Sequence, residues 1–570
     1  MKLISSTAFL VLLAVGVAAC HPAKRQVSAN DLGETVGALR PLTSDERARD
    51  FDQYVSLFKS YYGPYQFKER VLGINFDNLA ASLKAQAIAA KSDEEFVGFV
   101  MQLGATLKDG HVQIISGATS EGIASYSIPI VVTPLEQKAI VAEIKDDLKT
   151  AVGIELGDEV VSVDGKAPFD YLPLIMKYKS LAREESNQHL ILHTLSRPSY
   201  MTDLVPKEQT VRLVIKKASG DSKTVDIPWV TKTYNQDRER VVPNPRGLSM
   251  YVSFADDLNS LSSHCKQMGQ VDPIFVNDKT NATYGFVKVY PSDASRKKFG
   301  LADAEKPPIY AALYRYSGKT ILLVRQATYH PEDYKSALYM KAYQALFSEY
   351  QPLADVLVLD QTHNPGGSYC AEFYNLFAKD GDIQSVQLLR ADRKWINDLL
   401  VEWPHEDPKT IGSWDGKMLA AWGLITEQAY DAGRFMTDPI PLFTGSFFAE
   451  KKEAAWSKPM LVLIDELAGS CGDMFPMLVK ANNRAKLFGQ PTMGLGGNVE
   501  EVGVLSNSRV KVRMTRGLFY PYNPGRGPTD AEYIENNGVL PDVPYRHSVK
   551  DFRGSFVDYV KAFSDLAITQ

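Results

Sequence analysis

The sequence has few cysteines and, after its first twenty residues, no long apolar run. Four cysteines stand among 570 residues. Three of them follow Cys20: Cys265, Cys370 and Cys471. An odd number cannot all pair within one chain, and their spacing fits no zinc pattern. The chain is therefore not a disulfide scaffold, and the lack of a later run of about 18 apolar residues argues against a membrane-spanning helix in its body.

The sequence also lacks an excess of positive charge. Its 63 Lys and Arg are outnumbered by 68 Asp and Glu, which gives a net charge of −5. Without a basic tract there is no electrostatic case for a nucleic-acid partner. The composition, 45% hydrophobic and 23% charged, is ordinary for a folded protein. At roughly 150 residues per domain, the length predicts about three or four domains.

The first twenty residues, MKLISSTAFLVLLAVGVAAC, form a processing signal. The apolar stretch from Ala8 to Ala19 is too short to span a membrane comfortably. Small residues directly before Cys20 resemble the bacterial lipoprotein cleavage box. That resemblance implies a signal peptide over residues 1–20, lipidation of Cys20 and a tether over 21–43. It also implies a protein anchored to a bacterial membrane, in the periplasm or on the cell surface. The alternative is an ordinary secretory signal cleaved nearby.

Residues 44–120 are predicted to be helical. Phe51, Tyr54 and Phe58 recur at helical spacing, with Ser44 as the expected N-cap. A second helix is expected after Ser92, which with Glu95 forms a predicted capping box. This region ends in Leu107-Lys-Asp-Gly-His111.

Residues 121–236 are predicted to be mostly strands. Gly153-Ile154, Gly157-Asp158, the alternating run Glu159–Val163 and the Asp164-Gly165 turn resemble a bacterial PDZ domain. Such a domain would bind an extended peptide at its sheet edge; the alternative is an unrelated β-hairpin with good turn residues. Residues 237–308 look like an insertion. The part from Val241 to Pro308 is a candidate for an internal segment that keeps the protein inactive.

Residues 309–570 alternate between apolar strands and amphipathic helices. Lys319–Thr328, Asp355–Asp360 and Met460–Asp465 are predicted strands, and Ser336–Tyr350 and Cys471–Ala481 are predicted helices. Repeated strand–helix units predict a layered α/β core, here closed by a C-terminal helix.

Five short motifs occur in order along the chain. They are Asp109-Gly-His111, Asn364-Pro-Gly-Gly367, the small-residue turn around Ser470, Gly489-Gln-Pro-Thr-Met-Gly494, and Glu535-Asn-Asn-Gly-Val-Leu-Pro-Asp542. Together with the PDZ-like module they resemble the tail-specific protease superfamily, which includes the C-terminal processing peptidases and the tricorn core protease. The resemblance implies an α/β protein with a crotonase- or ClpP-like layered core, a PDZ-like β-rich domain and a helical N-terminal region.

One departure from the superfamily decides which base is expected. The processing peptidases pair their serine with a lysine, but the corresponding place here is Leu495, which cannot accept a proton. A serine hydroxyl is a weak nucleophile without a base. The tricorn-like branch instead uses a histidine and a glutamate. The resemblance thus implies Ser470 as nucleophile, His111 as base and Glu535 as the residue that orients it, with Glu532 as second choice.

The same resemblance implies an oxyanion hole made by backbone N–H groups of Cys471 and of Gly366 or Gly367. The Cys471 thiol is a rival nucleophile. A Cys370–Cys471 disulfide is conceivable, because both residues flank loops that should converge on the oxyanion hole.

The predicted function is a serine endopeptidase that acts outside the cytoplasm on proteins or peptides, with no cofactor or metal. A homodimer is left open. Three other interpretations compete: a lipase or esterase, since Ala468–Gly472 is close to G-x-S-x-G but only His547 follows the serine; an inactive lipid-anchored PDZ scaffold; and Ser470 as a mere helix cap.

Overall fold

The computed structural model describes residues 41–116, 124–144, 146–196, 198, 204, 206–233, 251–252, 273–301, 309–329, 336–383, 385–406, 414–441, 454–523, 525 and 527–570. The predicted signal peptide with Cys20, the tether as far as residue 40 and most of the 237–308 insertion lie outside the described residues.

The described elements follow one another in this order: α1 Ser44–Tyr61, α2 Tyr65–Leu72, α3 Phe76–Ile88, α4 Asp93–Ala105, β1 Gln113–Ser116, β2 Ala124–Ser127, β3 Ile130–Leu135, β4 Lys138–Ile144, α5 Asp146–Val152, β5 Glu159–Val163, α6 Leu172–Met176, α7 Glu184–Ser196, β6 Thr210–Lys216, β7 Ser222–Pro228, β8 Val230–Thr233, β9 Tyr251–Val252, α8 Asp278–Tyr284, β10 Val287–Lys288, α9 Asp293–Lys298, β11 Tyr310–Tyr316, β12 Lys319–Arg325, α10 Ser336–Tyr350, β13 Val356–Asp360, α11 Cys370–Tyr374, β14 Ser385–Leu389, α12 Arg393–Asn397, α13 Trp403–Glu406, α14 Trp414–Asp431, β15 Ile440–Pro441, β16 Met460–Ile464, α15 Cys471–Ala481, β17 Lys486–Gly489, β18 Val499–Val504, β19 Val510–Thr515, β20 Gly517–Pro521, β21 Val543–Pro544, α16 Val549–Arg553 and α17 Val557–Ala567.

Helices α1 to α4 cover the first described segment. The apolar side of α1, with Phe51, Tyr54 and Phe58, is fully buried against the other helices. The cap of α1 is Thr43 rather than Ser44, and Glu46 completes its capping box. Ser92 does cap α4 by accepting the N–H of Glu95. The carboxylate of Glu95 binds the N–H of Lys91 instead of closing the predicted box.

A seven-stranded sheet forms the centre of the molecule, in the order β10-β11-β12-β13-β16-β17-β21. Strands β12, β13, β16, β17 and β21 run parallel, whereas β10 and β11 pair antiparallel. Both β13 and β16 are buried along their whole length. Neighbouring parallel strands end at the same sheet edge, so the loops after β13 and β16 emerge side by side.

Helices cover the two faces of this sheet. The largest apolar cluster packs α10, α11 and α15 against one face, and another packs α17 with residues around Phe275 against the other. This arrangement is the mixed α/β, layered core that the strand–helix repeats predicted.

A five-stranded antiparallel sheet, β3-β4-β5-β6-β7, lies earlier in the chain. Asp164 and Gly165 have φ of 48° and 81°, as the tight turn after β5 requires. Smaller sheets have the orders β18-β19-β1-β9 and β15-β14-β20, with β2 paired to β8. The first of these matters for the site, because β1 joins the N-terminal segment to β19 near the C-terminus.

Among the helices of the described segments, none is both long enough and apolar enough to cross a membrane.

Candidate active site

Ser470 stands in a sharp turn between β16 and α15. Its backbone has φ 57° and ψ −118°, a conformation that a non-glycine residue adopts only at a cost. The residue occupies the N-cap position of α15, but its side chain makes no capping hydrogen bond. The side chain of Ser470 therefore does not cap the helix, although the residue stands at the N-cap position. A strained turn that presents an unused hydroxyl is typical of a nucleophile elbow.

The loop after β13 packs directly against this turn. A methyl group added to Gly366 would lie 2.6 Å from the carbonyl oxygen of Gly469, 2.7 Å from Cβ of Ser470 and 2.8 Å from N of Cys471. Gly366 also has φ 102°. Only glycine can hold this conformation at such close approach.

Asn364 fixes the two loops to each other. Its carbonyl accepts the N–H of Gly469 at 2.9 Å, and its side-chain oxygen accepts the N–H of Gly366 at 2.9 Å. The N–H of Gly366 is thus occupied. Within the described part of the chain, no hydrogen bond engages the N–H groups of Gly367 and Cys471, so these two are the better oxyanion donors of the predicted set.

A disulfide joins Cys370 to Cys471 and confirms the pairing that the sequence left open. It ties the start of α11 to the start of α15, beside the elbow. The Cys471 sulfur is therefore not a thiol in this structure, which removes the rival thiol nucleophile while leaving the Cys471 N–H in place.

His111 follows α4 and is 9% exposed. Its backbone N–H donates to Oδ1 of Asp109 at 2.8 Å. Among the described residues, Nδ1 of the imidazole has no hydrogen-bond partner. Burial lowers the pKa of His111 to about 4, with Arg513 and Lys68 acting in the same direction and Asp109 opposing them. The imidazole is neutral at physiological pH, which is the form a general base needs.

Glu535 is fully buried close to His111. Its Oε2 accepts the N–H of Gly496 at 3.0 Å, and its Oε1 pairs with the ammonium of Lys68. Burial and the nearby Asp109 raise the pKa of Glu535 to about 8 against the opposing effect of Lys68. Glu532, the second choice, instead closes a local capping box with Thr529.

The side-chain atoms of Asp109, His111 and Glu535 that could bind a metal ion all lie within 4.8 Å of one another. We do not assign a metal site here, because protein groups already engage both carboxylates. Asp109 Oδ2 accepts hydrogen bonds from the hydroxyls of Tyr62 at 2.8 Å and Thr515 at 2.7 Å, and Lys68 pairs with Glu535.

Asp473, in the first turn of α15, connects the elbow to the segment that binds Glu535. Its carboxylate accepts the hydroxyl of Thr492 at 2.5 Å and the N–H groups of Gly494 at 2.9 Å and Leu495 at 3.0 Å. The next residue, Gly496, donates to Glu535. Burial raises the pKa of Asp473 to about 7, although its hydrogen bonds lower it.

Leu495 occupies the place where the processing peptidases carry lysine. Its side chain is buried in an apolar cluster with Leu181, Leu190, Leu467 and Met493. A methyl group built on Gly469, next to Ser470, would lie 3.3 Å from Cδ1 of Leu495. The segment thus supports the elbow by packing and supplies no base from this position.

His547, which the esterase interpretation requires, stacks edge-on against Tyr559 with ring centroids 4.4 Å apart. His363, to which the sequence assigned no role, lies with Nδ1 2.5 Å from Oδ2 of Asp465. That pair joins the loop after β13 to the loop before Ser470. No sequence motif predicted the contacts of Lys68, Asp473 and His363. Asn364 lies in the Asn364–Gly367 motif, but that motif did not predict the role of its side chain.

Comparison with known proteins indicates the class of protein that this chain resembles. Residues 332–545 match the model of Peptidase family S41, and this match supports a serine protease. The matched residues include Asn364–Gly367, Ser470 and Glu535, whereas His111 and Lys68 lie before them.

The particular likeness is to CPAF, the chlamydial protease-like activity factor, as the overall layout of the sequence also predicts. The structure of mature CPAF complexed with lactacystin is 20% identical, with a TM-score of 0.69 over 92% of this chain and 98% of that chain. A crystal structure of mature CPAF is 19% identical, with a TM-score of 0.67 over 91% of this chain and 95% of that chain. A protein of Chlamydia pneumoniae is 24% identical over 94% of this chain and 91% of its own length. At these identities the structural likeness shows the fold.

Proposed function

We propose that this protein is a serine endopeptidase in which Ser470, His111 and Glu535 act together on peptide bonds. The observation that carries the proposal is the strained turn at Ser470, with its hydroxyl unused for capping. It lies in the part of the chain that matches Peptidase family S41 and faces a glycine loop at van der Waals distance.

In the proposed reaction, Oγ of Ser470 attacks the carbonyl carbon of the peptide while the neutral imidazole of His111 takes the hydroxyl proton. The imidazolium then gives that proton to the leaving amine as the C–N bond breaks, which leaves an acyl-enzyme. Water then attacks the acyl carbon while His111 takes one of its protons. The bond from this carbon to Oγ of Ser470 breaks, and the imidazolium returns the proton to Oγ as the acid product leaves. Ionised Glu535 orients the ring and stabilises the imidazolium.

The tetrahedral oxyanion would be held by the N–H groups of Gly367 and Cys471, with Gly366 allowing the loops to approach. Loss of one such donor typically costs about 3–4 kcal/mol of transition-state stabilisation.

A fluorophosphonate probe tests the proposal. The wild-type protein should be labelled on Ser470 and should cleave an unstructured protein such as casein. Ser470→Ala should lose labelling and cleavage, whereas His111→Ala should be labelled at least about 100 times more slowly. His547→Ala serves as the matched histidine control and should behave as wild type.

Failure of the folded wild-type protein to be labelled or to cleave casein would favour the inactive scaffold. We also propose that the part of the insertion from Val241 to Pro308 restrains activity until it is cut. Intact-mass measurement during the incubation shows whether this cleavage occurs. Activity that survives His111→Ala and is lost in His547→Ala would favour the esterase.

We further propose that the protein acts outside the cytoplasm, attached to a bacterial membrane through a lipid on Cys20, with a PDZ-like sheet that binds extended peptides along an edge. The support is the small-residue box before Cys20 and the five-stranded sheet with its Asp164-Gly165 turn. Labelled palmitate should be incorporated into the wild-type protein and not into Cys20→Ser. The homodimer stays a prediction.

A further inference from the structure

Lys68, on the short helix α2, has a fully buried side chain, which is rare for lysine. Its ammonium contacts Oε1 of Glu535 and also donates to the side-chain oxygen of Asn536 at 2.5 Å. A third, longer contact reaches the carbonyl of Lys108 at 3.4 Å. All three contacts of the side-chain nitrogen are with oxygen atoms, so Lys68 acts here as a hydrogen-bond donor.

We propose that Lys68 is a positioning residue of the active site, whose ammonium fixes the carboxylate of Glu535 beside His111 and favours its ionised form. This proposal rests on the proposed function, because it assigns Lys68 a role through Glu535.

The position of Lys68 is fixed by contacts on both sides of it in α2. Phe67 packs edge-on against Tyr533, with ring centroids 5.1 Å apart. Arg70 pairs with Asp530 through two hydrogen bonds of 2.6 and 2.9 Å. The helix is therefore held on the same segment that carries Glu535, and Lys68 reaches the carboxylate from a helix of fixed position.

The charge of Lys68 matters because two buried carboxylates share this space. Asp109 is stabilised by hydroxyl and N–H donors, which carry no net charge. Glu535 has the N–H of Gly496 and the ammonium of Lys68. Like charges at this separation raise the cost of ionising both carboxylates, and a nearby cation lowers it. The charged and titratable groups around Glu535 and its partner imidazole are Asp109, His111, Lys68, Tyr62 and Arg513.

The pH dependence of catalysis reports this role. The ionised form of Glu535 supports the imidazolium, so kcat/KM of the wild-type enzyme should rise as the pH passes through about 8. Removing the ammonium raises the pKa of Glu535 further. In Lys68→Met, the pH at which kcat/KM rises, called here the rising limb, should therefore increase by about one to three units. At pH 7, kcat of this variant should fall about tenfold or more with little change in KM.

The control is Lys84→Met, which removes a surface ion pair between Lys84 of α3 and Asp52 of α1. It should keep the wild-type pH profile. Lys68→Arg retains the positive charge and should keep the position of the limb while lowering kcat, since a planar guanidinium does not fit the ammonium site.

A double-mutant cycle with Glu535→Gln separates positioning from folding. Because Lys68 acts through Glu535, adding Lys68→Met to Glu535→Gln should change the rate of Ser470 labelling by less than about threefold. This double variant also removes a buried charge pair as a unit, which folded proteins tolerate better than loss of one partner.

The proposal would be overturned if the pH dependence of kcat/KM in Lys68→Met matched that of the wild type. It would also be overturned if Lys68→Met lowered the rate of Ser470 labelling in the Glu535→Gln background as much as it does in the wild type. If Lys68→Met does not fold, the comparison of Glu535→Gln with the double variant decides in the same way. Failure of the proposed function would appear separately, as a wild-type protein that neither reacts with the probe nor cleaves peptide.

Discussion

At the scale of single residues, the backbone of Ser470 stores strain. Its φ and ψ lie where a residue with a Cβ atom costs about 1–3 kcal/mol. Contacts on each side hold the turn: Met493 N donates to Ala468 O at 2.7 Å, and Gly469 N donates to Asn364 O at 2.9 Å. The fold thus bears the cost of presenting the hydroxyl.

Ser470→Gly should be inactive but more stable than Ser470→Ala, by about 1 kcal/mol, because glycine adopts this conformation without a Cβ clash. Unfolding in urea measures the difference. Equal stabilities of the two variants would mean that the turn is not strained.

Gly366→Ala should impair catalysis by about 100-fold, since the added methyl group displaces the glycine loop from the elbow and with it one oxyanion donor. Gly318→Ala is the matched control. Gly318 has φ 81° but nothing within 4 Å of an added methyl group, so this variant carries the backbone cost without the clash. Steady-state kinetics and thermal unfolding of both variants check the prediction, and similar kcat values would contradict it.

His111 should make stability depend on pH. Its pKa is depressed in the folded state to about 4 from 6.5, so the unfolded chain binds the proton more readily. The stability that the neutral ring contributes is complete above pH 6.5 and is lost as the pH falls to 4, by about 3 kcal/mol.

Urea unfolding of wild type and His111→Gln at several pH values measures this contribution as the difference between the two curves. As the pH falls, the free energy of unfolding of the wild type should decrease relative to that of His111→Gln. A pH-independent difference would show that the ring is not buried in neutral form.

Sequence motifs could identify Ser470, Gly366, His111 and Glu535 because each lies in a short stretch with an unusual composition. Lys68 could not be identified in this way. One lysine in an eight-residue amphipathic helix has the pattern of a solvent-exposed side chain, and its partner lies 467 positions away. The same holds for Asp473, whose partners are backbone groups of another segment.

At the scale of elements, the strands and helices of the core followed from hydrophobic periodicity. Ser336–Tyr350 and Cys471–Ala481 begin and end where the pattern predicts. The helix Glu184–Ser196 was missed in a region predicted to be mostly strands. Ten of its 13 residues are buried, polar ones included, so it lacks the apolar stripe that marks a helix at a surface.

The disulfide between α11 and α15 should stabilise the protein considerably, since it links residues 101 positions apart. Chain-entropy arguments give about 4–5 kcal/mol for a loop of this length. Cys370→Ser combined with Cys471→Ser should lower the free energy of unfolding by that order while Ser470 is still labelled by the probe.

Thiol counting under denaturing conditions is the control for this variant pair, because the wild-type protein should gain two thiols on reduction in this segment. If the variant with both Cys370→Ser and Cys471→Ser folds but is no longer labelled by the probe, Cys471 would again be a candidate for the nucleophile.

At the scale of the whole molecule, the site depends on both ends of the chain. Strand β1, which follows His111, pairs with β19, and α2 packs on the segment around Tyr533. Periodicity predicts each segment but not these long-range pairings, which depend on the completed core. The domain boundaries inferred from composition therefore stay predictions.

A fragment of residues 309–570 contains the S41 match and Ser470 but lacks Lys68, Tyr62 and His111. It should be unlabelled by the probe and poorly soluble, because removal of Lys68 leaves Glu535 as an unpaired buried carboxylate and removal of β1 exposes the edge of β19. Soluble yield, near-UV circular dichroism and labelling measure this. A folded, labelled fragment would show that the N-terminal helices are dispensable.

The 467-residue separation between Lys68 and Glu535 has a consequence for the cell that makes this protein. While the ribosome is still adding residues, Lys68 and His111 exist before Glu535 has been made. In the proposed mechanism, proteolytic capacity arises only once Glu535 has been synthesised and has reached Lys68. We expect this order of synthesis to protect the cell from a half-made protease.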